Sequence, residues 1–295
     1  MKTKTREGVQ GYGFMLPALI IIAVFTIIPI GYALYLSLNR VNLLAGTIEW
    51  VGLGNYEIAL NDARLRIALT NTIRYVAFVV PSQTFLALVM AAVLNSGIKF
   101  QRTFRTIYFL PTLTSSAALT MIFMFLFAVN GPVNGFLVDW GWISEPIHFI
   151  GDINFALNTI MVMNVWSTVP FFMTIYLAGL QDVDASLYEA ASIDGANTWK
   201  KFTKITIPNL VPVTNYVLLM GIIGTFQIFD QAFIISGGTG GPMNATLTVS
   251  LLIYQFAFRV RGTMGYASAL AILLTILIFI VSMIAKRLNK EEVVY

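Results

Sequence analysis

The chain has 295 residues, 57% of them hydrophobic and 11% charged, with a mean hydropathy of +0.78 and a formal net charge of +4. Soluble domains carry about 25% charged and about 45–50% apolar residues, so the composition excludes an ordinary soluble domain and indicates an integral membrane protein. Cysteine is absent, which excludes a disulfide framework and a Cys-based metal site, and the single histidine, His148, cannot build a metal cluster.

In chain order, MKTKTREGVQGYGF leads into an apolar run over 14–38. That run exceeds the roughly 7–15 residues of a signal-peptide core and reads as a retained first span. A bilayer core of about 30 Å takes roughly 20 apolar residues per helix. Further spans are expected at 69–94, 105–128, 155–180, 209–235 and 264–285, giving one transmembrane domain over 1–295 with six helices. Pro111 and the run TLTSS weaken the third. Polar segments at 39–68, 95–104, 129–154, 181–208 and 236–263 join the spans.

Orientation follows the lysines and arginines. With the N-terminus inside, the cytoplasmic segments hold 12 of the 18 basic residues, three each: Lys2, Lys4, Arg6; Lys99, Arg102, Arg105; Lys200, Lys201, Lys204; Lys286, Arg287, Lys290. An N-in/C-in topology is expected, and it accounts for the positive charge without invoking nucleic acid. Asp230 is the one carboxylate well inside an expected span. Ion-coupled carriers need several such groups, although a stand-alone secondary carrier using Asp230 stays open as an alternative. There is no G-x-x-x-x-G-K-[ST] loop for nucleotide phosphates.

The segment Asp182–Ile193, DVDASLYEAASI, is good helix material. Its aspartates suit a helix N-terminus, and Val183, Leu187, Ala190 and Ala191 share one face. Gly195 suits a helix stop. The basic piece TWKKFTKI follows, and Pro208 marks entry to the fifth span. These residues read equally as a solvated connector with an interfacial helix or as a protein-docking helix whose alanines permit close approach.

EAASIDGANTWKKFTKITIP (Glu189–Pro208) resembles the "EAA" loop of permease subunits from binding-protein-dependent ABC importers, through Glu189, Ala190, Ala191, Asp194, Gly195, Ala196, Phe202, Ile205 and Pro208, with Pro212 beyond it. LAGLQDVDASLY (Leu177–Tyr188) resembles the lead-in of sugar permeases, with Asp184 where proline is common. Pro17 and Pro29 of the first span, WVGLGNY (Trp50–Tyr56) and GGPMNATLTVSLLIYQFAF (Gly240–Phe258) resemble the carbohydrate-uptake branch, of the maltose-F-like and glycerol-3-phosphate type.

The resemblance implies an all-α, type I ABC importer permease fold in a bacterial or archaeal inner membrane. It implies a cytoplasmic coupling helix between spans four and five that carries Glu189, Ala190, Ala191, Asp194, Gly195 and Ala196. It also implies a second homologous permease as heterodimer partner, two ATPase subunits and an external solute-binding protein. ATP and Mg would sit on the ATPases, with no cofactor in this chain and no catalytic residue.

Sugar recognition needs polar groups that match hydroxyls, together with an aromatic surface, in a mostly apolar pocket. Candidates are Asn164, Trp166 and Thr168 in span four, and Tyr216, Gln227, Asp230 and Gln231 in span five, the last three at one-face spacing. Hydrogen bonding between helices is the competing use of each. No Lys or Arg lies deep in a span, which counts against an anionic substrate such as glycerol phosphate.

Overall fold

The structure, a computed structural model, describes residues 14–42 and 46–288. Lys2, Lys4, Arg6 and Lys290, used above for orientation, lie outside the described residues.

Apolar runs become helices because a backbone in lipid must satisfy its own N–H and C=O groups. Among the described residues, five helices are long and apolar enough to cross a membrane: Phe14–Ser37, Ala63–Asn95, Ala156–Gln181, Val211–Ser236 and Met264–Leu288. The architecture is therefore that of an all-α multi-pass membrane protein.

The expected third span departs from a straight helix. Gln101–Leu113 and Ser116–Leu126 are bent by 100° at the break between them, so a sixth crossing exists only if this pair counts as one span. The cause is local. Thr114 adopts an extended conformation just after Pro111, and the Ser115 hydroxyl accepts from the Ala118 N–H, capping a new helix.

The fifth span is also interrupted. Val211–Phe226 stops, and Asp230–Ser236 resumes after residues 227–229. A carbonyl freed at the break, that of Ile228, accepts from the Thr248 hydroxyl at 3.1 Å. Gln227, Asp230 and Gln231 therefore do not share the single helix face that their spacing suggested.

The chain divides into two compact units: residues up to Asp62 with Ile253–Thr275, and Ala63–Leu252 with the residues from Ile276 on. In the first unit, β1 (Asn39–Asn42) pairs antiparallel with β2 (Thr47–Trp50), Asn39 opposite Trp50. The WVGLGNY element explains its own composition here. Gly52 takes φ +56, and buried Asn55 donates to the Ser37 and Asn39 carbonyls at 2.8 and 3.0 Å. Tyr56 shares a 2.8 Å hydroxyl contact with Ser37. A Cβ on Gly265 would stand 1.9 Å from the Asn39 carbonyl oxygen, so only glycine fits.

The second unit is built on Ala156–Gln181, the most deeply buried span. Its Ile160, Met163, Met173 and Tyr176 pack with Tyr75, Val79, Ala87 and Ala91 of Ala63–Asn95. Small residues permit such close helix packing. Gly179 plays the same part against Val213, which a Cβ would approach to 2.6 Å. The segment after Ser236 folds back into this unit, with Thr246, Leu247 and Thr248 fully buried and Asn71 donating to the Asn244 and Leu247 carbonyls.

Candidate functional site

Two places in the second unit hold most of the residues singled out above. The first is the loop 181–208. Its helix runs Ala185–Ile193, three residues shorter at the start than the sequence pattern suggests, because Asp184 is the cap: its carboxylate accepts from the Ser186 N–H at 2.8 Å. That hydrogen bond holds the Asp184 carboxyl below its ordinary pKa. Gly195 ends the helix at φ +73, with open space where a Cβ would sit. Ala196 N–H returns to the Ala191 carbonyl at 2.8 Å, and Asp194 N–H to that of Ala190 at 3.1 Å.

Asn197 then caps Thr198–Lys201 through the Lys200 N–H, and the chain continues through a π turn at Phe202–Thr206. The two helical pieces are tied together. Lys201 Nζ donates to Ser192 Oγ at 2.6 Å, and Tyr188 and Thr206 hydroxyls meet at 2.9 Å. The outcome is a short, internally braced helix-turn-helix. Ile193 is 88% exposed and Trp199 70%, while Glu189, Ala190, Asp194 and Gly195 are exposed and Ala191 and Ala196 half-buried.

The second place is a cleft of about 310 Å³ between the bent third region, Ala156–Gln181 and Asp230–Ser236. That volume lies at the lower end of the usual range for small-molecule sites. Thr112, Thr114, Ser116, Thr120, Asn164, Ser167, Thr168 and Gln231 supply polar groups, and Phe171 and Phe172 supply aromatic surface. No charged side chain lines it among the described residues. Gln231 Nε2 donates to Ser116 Oγ at 3.1 Å.

Behind the wall, the Thr168 hydroxyl lies 2.8 Å from both Gln83 Oε1 and the Asn164 carbonyl. Gln83 is 1% exposed, and its Nε2 has no hydrogen-bond partner among the described residues; neither has the buried Oδ1 of Asn164. Leaving a buried amide group unpaired costs about 1–3 kcal/mol, so these two groups work against stability. Gly221 lets Gln83 lie there, since a Cβ at 221 would stand 2.5 Å from Gln83 Nε2.

Of the substrate candidates, Asn164 and Gln231 come together in the cleft, and Thr168 joins them. The others lie elsewhere. Trp166 packs against Phe123, ring centroids 5.4 Å apart. Tyr216 lines a different cleft. Gln227 is exposed beyond the end of its helix, and Asp230 is exposed at the first residue of the next. Gln83, Ser116 and Ser167 were not anticipated. The TLTSS run carried the signal for Ser116, whereas nothing in the local pattern around Gln83 did.

Bent and interrupted apolar helices around an uncharged polar cleft are those of a multi-pass membrane protein, and the family that its sequence matches is one of transport permeases. The family described as "Binding-protein-dependent transport system inner membrane component" matches residues 83–292, and the chain belongs to it.

Over 280 residues the chain is 36% identical to the lactose transport system permease protein LacF of Rhizobium radiobacter, covering 95% of this chain and 93% of LacF. It is 35% identical over 281 residues to the arabinooligosaccharides transport system permease protein AraP of Bacillus subtilis (strain 168), covering 94% and 88%. The trehalose/maltose transport system permease protein MalF of Thermococcus litoralis is 32% identical over 281 residues, covering 94% and 92%. The fold matches a bacterial ABC transporter involved in import of the acidic polysaccharide alginate, at TM-score 0.79 and 20% identity, over 99% of this chain and 98% of that one.

Proposed function

We propose that this chain is the permease subunit of an ATP-driven importer for a neutral sugar or oligosaccharide. Substrate passes by way of the cleft around Asn164, and loop 181–208 is the docking point of a cytoplasmic ATPase. The observation that carries the substrate class is the identity above 30%, over more than nine-tenths of the chain, to permeases named for lactose, arabinooligosaccharides and trehalose/maltose. The cleft supports it: amides, hydroxyls and two phenylalanines suit a polyhydroxyl ligand, and the lack of a cation in its lining counts against glycerol phosphate.

The mechanism is alternating access without covalent chemistry. A second permease of the same family forms the other half, most simply as a heterodimer. Two ATPases hold ATP and Mg, and an external binding protein delivers substrate. In an N-in/C-in topology the Ala185–Ile193 helix faces the cytoplasm. Its internal bracing suits it to pass a rigid-body push from the closing ATPases to the spans. Glu189 meets a basic ATPase group, and Ala190, Ala191 and Ala196 permit close approach. In the cleft, the side-chain amide of Asn164 bonds a sugar hydroxyl, its Oδ1 turning out of its buried position to accept.

Single cysteines test the docking. In the assembled complex, Ala190→Cys or Ala191→Cys should cross-link to a cysteine in the ATPase groove, and Ser144→Cys, on the opposite side, should not. Cross-linking at 144 alone would overturn both orientation and docking. In proteoliposomes, Asn164→Ala should raise the half-saturating sugar concentration about tenfold, the worth of one lost hydrogen bond. Uptake abolished by an ionophore at constant ATP would favour a stand-alone carrier instead.

A further inference from the structure

Tyr216 leads to a place that the transport reading leaves unused. It lies with Asn215 near the start of Val211–Phe226, and both line a cleft of about 200 Å³ whose other wall is the last two turns of Met264–Leu288. Ser282 and Lys286 stand on that wall. Ser282 is 9% exposed, and its buried hydroxyl has no hydrogen-bond partner among the described residues. Serine in a membrane helix ordinarily satisfies itself on a carbonyl one turn back, and Ser282 does not. Lys286, two residues from the helix end, puts an ammonium at the rim, and half-exposed Tyr216 puts a phenol there. Leu218, Leu219 and Ala285 make the rest of the lining apolar.

The start of one span and the end of the other meet here, so the cleft sits at the lipid–water boundary whichever way the protein faces. A cation, a phenol and a buried hydroxyl over an apolar wall match a phosphate that carries an acyl chain. Basic pockets between transmembrane helices hold anionic headgroups in this way. We propose that this cleft binds the headgroup phosphate of an anionic phospholipid, with the first part of its acyl chain along Leu219 and Ala285. Free phosphate would gain nothing from the apolar wall. The site is independent of the substrate and docking assignments above.

Native mass spectrometry of the full importer complex tests it, after release from nanodiscs of phosphatidylcholine alone or mixed equally with phosphatidylglycerol. The intact complex should retain one phosphatidylglycerol for each copy of this chain and no phosphatidylcholine. Lys286→Gln should reduce retention about fivefold, the worth of one cation near a membrane surface. Ser282→Leu, which fills the cleft, should abolish it. Arg287→Gln, on the same helix turn but outside the cleft lining, should leave it within about twofold.

Lys286 is exposed, so its variant keeps the test valid if Ser282→Leu fails to fold. Equal losses from Arg287→Gln and Lys286→Gln would mean general charge attraction and overturn the site. Retention unchanged in Lys286→Gln, or displacement of the lipid by inorganic phosphate, would also overturn it.

Discussion

Residues 181–208 and the cleft around Asn164 present polar groups in opposite ways. The loop closes its side-chain hydrogen bonds over at most 18 residues of sequence, from Tyr188 to Thr206, and leaves its surface exposed. The cleft is assembled across 85 residues from Thr168 to Gln83, and 115 from Gln231 to Ser116. The first takes its shape from its own near neighbours, because its caps and turn are local. The second exists only when several helices have packed, and it keeps two amide groups unpaired at a cost in stability. Under the proposed function, the loop as a handle needs rigidity, whereas the cleft as a passage needs groups free to exchange partners.

Substitutions that separate local from assembled polar structure test the contrast. The largest effect should come from Gly221→Val, which drives a side chain into Gln83 in a packed interior. It should cost about 1–3 kcal/mol, seen as a lower Tm of the purified complex, with uptake lost.

Next comes Gly195→Val, at a positive φ with open space around it. The strain should cost about 1–2 kcal/mol within the loop alone. ATP-driven uptake should fall while the complex Tm stays close to that of the parent. Equal Tm losses from the two variants would erase the distinction between the regions.

Gln83→Leu removes the unpartnered amide and should gain up to about 1 kcal/mol while slowing uptake. A loss of stability instead would mean that the amide is satisfied in the working protein.

The smallest effect is a pH dependence of the loop helix. Asp184 has its pKa depressed by the Ser186 N–H, so its capping contribution is complete above the ordinary carboxyl value of about 4. It disappears as pH falls through the lower folded value. Hydrogen-exchange protection of 185–193, taken relative to the intrinsic rate at each pH, should therefore fall only in acid, and Asp184→Ala should remove that step.

Much of this was legible in the chain itself. The apolar runs located the spans, Gly195 marked the helix stop, and Pro111 with TLTSS marked the weak third region. Even there the sequence pattern said "weakened" where the structure has a 100° bend, because a serine cap and an extended threonine act together. The cleft was only half legible. Asn164 and Trp166 are two residues apart, yet one lines the cleft and the other packs on Phe123. Their helix is apolar on every side, so no periodicity singles out one face. Spacing also put Gln227, Asp230 and Gln231 on one face, but the break at 227–229 separates them.

By itself, then, the sequence determined the membrane class, the helical runs and the helix with its glycine stop within 181–208. Each of these depends on hydropathy or on hydrogen bonds between near neighbours. Tertiary structure alone decided which polar side chains converge, that Gln83 lies behind Asn164 and Thr168, and that Tyr216 belongs to a second cleft. Those outcomes depend on how close two helices can come, which glycines such as Gly179 and Gly221 set across long separations in the chain.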